Sequence, residues 1–185
     1  MKLEVPYYSQ FIDVEDKFWM LRACGAVCFK MVVEYYGENI PDIVKFCNEA
    51  KENGGYDINN GWVHNYLVTK AEELGLQARR SEGLTSITDE IMASLDAGNP
   101  VIVSVEKRVL EQTRFHLIVL VGYEKGDEGD LTVVSESSSP YHLSPNTYFY
   151  YHEPESTDKT RGAYRICDVE IFKNYWRGKA IFISK

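Results

Sequence analysis

Two cysteines in "LRACGAVCFKMVVEYYG" (residues 21–37) stand four positions apart, Cys24 where a helical pattern begins and Cys28 one turn inside it. A cysteine in the first turn of a helix sits among unsatisfied backbone N–H groups and at the positive end of the helix dipole, which favours its nucleophilic thiolate. Gly25 follows directly and leaves room for a substrate backbone to approach. Alone, a helical cysteine reads first as a small core residue. Thiol catalysis also needs a base brought in from elsewhere in the chain. The chain has four histidines. His64 lies in a helical stretch and reads as a surface or half-buried residue, and His142 lies in a Ser/Pro-rich loop. His152 ends an aromatic strand. His116 begins the most apolar strand, "HLIVLVGY", and stands at the mouth of a firmly buried sheet.

The elements that must position these groups follow from periodicity. Apolar residues at Cys24, Val27, Cys28, Met31, Val32 and Tyr35 predict a helix with one buried face, capped by Gly37. A second helix is expected over residues 41–50, with Pro41 in its first turn. A third runs through "GWVHNYLVTKAEELGL", burying Val63, Tyr66, Leu67, Ala71 and Leu74 and stopping at Gly75. A fourth, "SITDEIMASLDAGNP", has Ser86 as N-cap with Ile87, Ile91 and Leu95 inward. Beyond Pro100 the texture changes to β-branched and aromatic runs at residues 101–105, 115–123, 131–134, 147–152 and 180–184. Residues 135–146 read as a long exposed loop. Helices first and strands afterwards predict an α+β fold.

The 185 residues fit one domain, here taken as 1–185. Asp and Glu (28) exceed Lys and Arg (20), giving a net charge of −8 that disfavours a nucleic-acid partner. The acidic surplus suits a basic substrate segment no better than it suits an ordinary solvated surface, and the surface reading is preferred. No apolar run approaches the ~20 residues of a membrane helix, nor does the start carry a signal-peptide h-region, so the expected setting is cytoplasmic, with no membrane partner. Cys24, Cys28, Cys47 and Cys167 are too few and too regularly patterned for a disulfide scaffold.

In combination these features resemble the papain-fold cysteine peptidases related to bacteriocin-leader-processing peptidases, in particular their stand-alone members. The resemblance covers most of the chain. It rests on "VPYYSQ", the tryptophan in "FWMLRACG", the "GW" helix ending in "LGL", "GNPVIVSV", "HLIVLVGYE" and the aromatic strand ending in "HEP". It implies a papain-like α+β fold with the Cys24 helix packed on an antiparallel sheet. It further implies Cys24 as nucleophile, His116 as general base and Gln10 as the side chain that completes an oxyanion hole with the Cys24 backbone N–H. No cofactor or metal is implied, and the partner is a peptide or amide substrate.

The sequence departs from the family at the acid. Where the family carries Asp before Pro, this chain has Glu153, and Glu136 in "LTVVSES" competes for the same role of orienting His116. Three rival readings remain: an acyltransferase or deamidase using the same thiol, a peptide-binding module whose site has decayed, and a zinc site built from Cys24, Cys28, His116 and His152, whose spacing matches no strong metal motif.

Overall fold

The computed structural model describes residues 1–84, 87–109, 112–125 and 147–185, and gives the backbone alone for 87–89, 108, 109, 112 and 113. The expected N-cap Ser86, the strand at 131–134 and the loop at 135–146, with Glu136 and His142, lie outside the described residues. In chain order the elements are α1 (Cys24–Tyr35), α2 (Ile43–Glu52), β1 (Tyr56–Asp57), β2 (Gly61–Trp62), α3 (His64–Glu73), β3 (Gln77–Glu82), α4 (Ile87–Asp96), β4 (Val101–Val109), β5 (Gln112–Lys125), β6 (Thr147–His152), α5 (Lys159–Gly162), β7 (Arg165–Asp168), α6 (Val169–Lys173) and β8 (Trp176–Ser184).

The spacing from Cys24 onward folds as α1. Gly37 ends it at φ +90°, so that the N–H of Gly37 reaches the Glu34 carbonyl and that of Glu38 reaches the Val33 carbonyl, each at 3.0 Å. The expectation of one buried face understates the burial. Val27, Cys28, Phe29, Met31, Val32 and Val33 are all at 0% exposure, because α1 lies between the sheet and the helices α2 and α3. At roughly 1.5–3 kcal/mol per fully buried large apolar side chain, this helix is the main anchor between the layers.

Two expected boundaries move for local reasons. Helix α2 begins after Asp42, whose carboxylate accepts from the Lys45 N–H at 2.9 Å, so Pro41 precedes the cap instead of sitting in the first turn. Helix α3 begins at His64, not at Gly61. The Asp57 carboxylate accepts from the Asn59 and Asn60 N–H groups at 2.9 and 2.7 Å, closing a turn that pairs Tyr56 with Trp62 and leaves Val63 exposed.

The main sheet is antiparallel with strand order β3-β8-β4-β5-β6-β7. β6 keeps the expected bounds, while β4, β5 and β8 run longer than expected, and β3, β7, α5 and α6 extend an α+β plan already legible in the sequence. Gly122 marks a shift in the β5–β6 register at φ +153°. A Cβ there would stand 2.3 Å from the Met1 carbonyl oxygen, so only glycine lets the N-terminal segment lie against β5 through the Lys2–Gly122 bridge. That placement carries the chain from Leu3, past Val5, to Gln10. Among the described residues no helix is long and apolar enough to cross a membrane.

Candidate active site

The first turn of α1, the start of β5 and the turn after β6 meet at one end of the sheet. Cys24 is the first residue of α1, half-buried, and Ala23 before it offers no side-chain cap. No acidic side chain occupies the first turn either, so the helix presents uncapped N–H groups beside the thiol.

His116 sits on β5 opposite Val105, 3% exposed. Register brings its acid. β6 pairs His152 with Val119, and the chain running on from β6 passes His116 as Glu153-Pro154-Glu155. The His116 Nε2–H donates to Glu153 Oε1 at 2.6 Å, and the Cys24 side chain acts on the same ring. Burial drives the imidazolium pKa down, but the hydrogen bonds and charges of Cys24 and Glu153 outweigh it and raise it to about 10. Burial likewise pushes the Glu153 carboxyl up, yet His116, the Glu155 N–H and Lys107 hold it below the usual range. The extra methylene of Glu relative to Asp is taken up without loss of contact. The Glu153 backbone is fixed too, its N–H on the Gly162 carbonyl at 2.9 Å and its carbonyl accepting from Tyr7 Oη at 2.7 Å.

Gln10 is fully buried and tied to this turn, its backbone N–H on the Pro154 carbonyl at 2.8 Å. Its side-chain nitrogen donates to the Met20 carbonyl at 2.9 Å and faces Glu155 Oε1 at 3.4 Å. Both neighbours are acceptors, which fixes the amide orientation and leaves Oε1 without a partner among the described residues. Glu155 itself lies 3.8 Å from His116 Nδ1 and pairs with Lys107 and, at 3.5 Å, with Arg114.

Cys24 and His116 open onto a cleft of about 460 Å³. Its walls are the β1–β2 turn with Trp62, the start of β5 with Arg114 and Phe115, Ser104 of β4, Arg177 of β8, and Arg22 and His64. Burial, reinforced by Lys179 and Arg177, lowers the His64 pKa to about 4 and keeps its ring neutral. His64 is half-buried as the sequence suggested, but its place on the cleft wall was not legible there.

Gly25 does not serve the approach of a substrate. The Trp62 indole fills its open side, where an added Cβ would meet the ring at 2.4 Å, and the indole N–H donates to the Arg22 carbonyl at 2.8 Å. Cys28 is core, its thiol donating to the Leu117 carbonyl at 3.3 Å. His152 lies apart from the cleft. Its Nδ1 accepts the Tyr164 N–H at 3.1 Å and its Nε2–H donates to the Val5 carbonyl at 3.0 Å, which leaves no ring nitrogen for a metal. Among the described residues no cluster of three or more His, Cys, Asp or Glu side chains is arranged to hold an ion.

A family model described as the Peptidase_C39 like family matches residues 2–180. Among solved structures, a putative C39-like peptidase from Bacillus anthracis superposes with a TM-score of 0.63 at 17% identity, over 100% of this chain and 98% of that one. The peptidase domain of Streptococcus ComA, a bi-functional ABC transporter involved in a quorum sensing pathway, gives 0.55 at 20% identity, over 89% and 92%. At these identities the likeness is one of fold: helices packed on an antiparallel sheet in the papain-like manner. No curated protein matches the chain.

Proposed function

Because the chain belongs to the Peptidase_C39 like family, we propose that it is a thiol peptidase or closely related amidohydrolase, one domain over residues 1–185, with Cys24 as nucleophile. The observation that carries this reading is the placement of His116: one buried ring that shares a cleft with a helix-start thiol and is held, at 2.6 Å, by a buried carboxylate.

The reaction follows from those contacts. Glu153 holds His116 through Nε2 and leaves Nδ1 to the thiol. The Cys24 thiolate attacks the amide carbonyl, and the carbonyl oxygen takes up the negative charge. Two donors support that charge, the Cys24 backbone N–H at the uncapped start of α1 and the Gln10 side-chain amide. The second N–H of Gln10 faces Glu155 at 3.4 Å, a long contact that an oxyanion can replace. The His116 imidazolium protonates the departing amine, a thioester forms at Cys24, and His116 then takes a proton from water as it attacks. Glu153 acts through His116, fixing its tautomer and orientation.

Glu in place of Asp is not by itself a sign of decay, since the carboxylate reaches His116 at 2.6 Å. The test is iodoacetamide labelling read by peptide mass spectrometry. We expect Cys24 to label faster than Cys167, which is likewise half-buried and whose thiol burial pushes up, as well as faster than buried Cys28 and Cys47, and the advantage over Cys167 to vanish in His116→Ala. Labelling of Cys24 no faster than Cys167, or full peptide turnover by Cys24→Ala, would overturn the reading.

A further inference from the structure

The cleft that holds Cys24 and His116 runs against the charge of the whole chain. The protein is acidic, at −8, yet apart from the Cys24 and His116 pair the charged side chains lining the cleft, among the described residues, are Arg22, Arg114 and Arg177, and no Asp or Glu is among the lining residues. Three separate segments deliver them: the turn before α1, the start of β5 and the start of β8. Guanidinium groups gathered in one cleft repel each other, and such a field favours an anionic occupant.

Each arginine is held in place with donors to spare. Arg177 stacks on the Phe115 ring, 3.4 Å from its centroid, and spends a hydrogen bond on Ser104 Oγ at 3.0 Å. Ser104 lies where the β4–β8 register shifts between Val103 and Val105. Burial lowers the Arg177 pKa, with Glu106 and Glu82 opposing, but neither carboxylate comes within ion-pair distance. Arg22 lies over the Phe18 ring and donates to the Phe18 carbonyl at 2.9 Å. Arg114 donates to the Leu21 carbonyl at 3.1 Å, and its carboxylate contact, Glu155 at 3.5 Å, is shared with Lys107. With five N–H donors in each fork, these contacts leave capacity suited to a carboxylate. The nearby Asp57 carboxylate is turned to its own loop, accepting from Asn59 and Asn60. Around the same cleft Leu21, Ile58 and Phe115 are 50%, 59% and 53% exposed, an apolar rim beside the cationic wall.

We propose that the cleft selects a peptide carrying a carboxylate close to the bond under attack, an acidic residue set among apolar neighbours, bound by Arg22, Arg114 and Arg177. This rests on the peptidase reading above and names its substrate class. The carboxylate has two sources, an acidic side chain or a free peptide C-terminus.

The experiment separates them and also separates this inference from the reading beneath it. Cys24→Ala protein is immobilised and exposed to a mixed hexapeptide library in two forms, C-terminally amidated and free acid, and the retained peptides are sequenced by mass spectrometry. Matched Glu and Gln peptides are then offered to the wild type for turnover. We expect Glu and Asp enriched over Gln and Asn by roughly tenfold at one position of the amidated library, as charge-assisted hydrogen bonds give. The enrichment should fall several-fold in Arg177→Gln and Arg22→Gln and at 0.5 M salt. Retention confined to the free-acid library, without preference for Glu or Asp side chains, would identify the C-terminus as the source. Equal retention of both libraries without acidic enrichment, or no retention of either, would overturn the inference, whether or not the wild type turns over peptides. Acidic enrichment without turnover would sink the hydrolase reading and leave the binding preference standing.

Discussion

Two buried histidines on neighbouring strands make opposite use of the same ring. His116 on β5 and His152 at the end of β6 are 3% and 0% exposed, and burial pulls both toward the neutral form. The ring nitrogens of His152 meet only backbone, an N–H from Tyr164 and a carbonyl from Val5, so it stays neutral with both nitrogens satisfied. His116 meets a thiol and a carboxylate, and those ionisable partners reverse the effect of burial. The partner groups, not burial, decide which histidine carries charge. One ring ties the N-terminal segment to the sheet; the other is placed for chemistry.

The contrast breaks most sharply at His116. Under the proposed mechanism His116→Ala lowers kcat/KM by roughly 10⁴-fold or more, as loss of a base does in other triads, while a thermal melt of the same protein reports its folding. Glu153→Gln comes next, with a loss of roughly 10²–10³-fold in kcat/KM. The imidazolium, raised to about 10, is the proton donor, so the alkaline limb of activity lies near pH 10 in the wild type. Removing the Glu153 charge moves that limb to lower pH, which a pH–rate profile measures and a purely structural role for Glu153 would leave in place.

At the other histidine the expected effect is on stability. His152→Ala strips the Val5 carbonyl and the Tyr164 N–H of their partner and opens a cavity between Tyr7 and Tyr164, costing about 2–4 kcal/mol in urea unfolding. The two rings also differ in sign with pH. The stabilisation from His116 is complete below pH 6.5 and is lost as pH rises through about 10. That from His152, whose pKa is lowered, is present above pH 6.5 and is lost as pH falls through its depressed value, and Glu153 adds a loss in the same direction below pH 4.5. Unfolding curves for wild type and His152→Ala across pH should therefore converge on acidification. The smallest effect is expected at Gly25→Ala, about 1–3 kcal/mol from the overlap with Trp62, read by the same unfolding assay.

Much of this was legible in the chain because it is local. The apolar spacing from Cys24 to Tyr35 and the stop at Gly37 need only helical periodicity and one positive φ. Strand β6 at Thr147–His152 needs only an aromatic run between turn residues. β3 was not legible: "QARRSE" carries no apolar alternation, and it is a strand because β8 offers it a ladder from Gln77–Ser184 to Glu82–Lys179. Gly25 was read from its neighbour in sequence, whereas its constraint comes from Trp62, brought in by a turn that Asp57 closes. The overall charge spoke only to a nucleic-acid partner, and a sum over the chain does not show the three arginines that converge on the cleft after folding.

The sequence by itself determined helices α1 to α4, strands β4, β5, β6 and β8 and which side chains are capable of thiol chemistry, since backbone preference and residue type act over a few positions. The tertiary structure decided which of those groups meet. Glu153 reaches His116 through the β5–β6 register, Gln10 reaches the same turn through the bridge at Gly122, and Arg22, Arg114 and Arg177 share one wall through the order of the sheet. Those meetings depend on long-range pairing and on the closure of long loops, whose energies no local stretch of residues encodes.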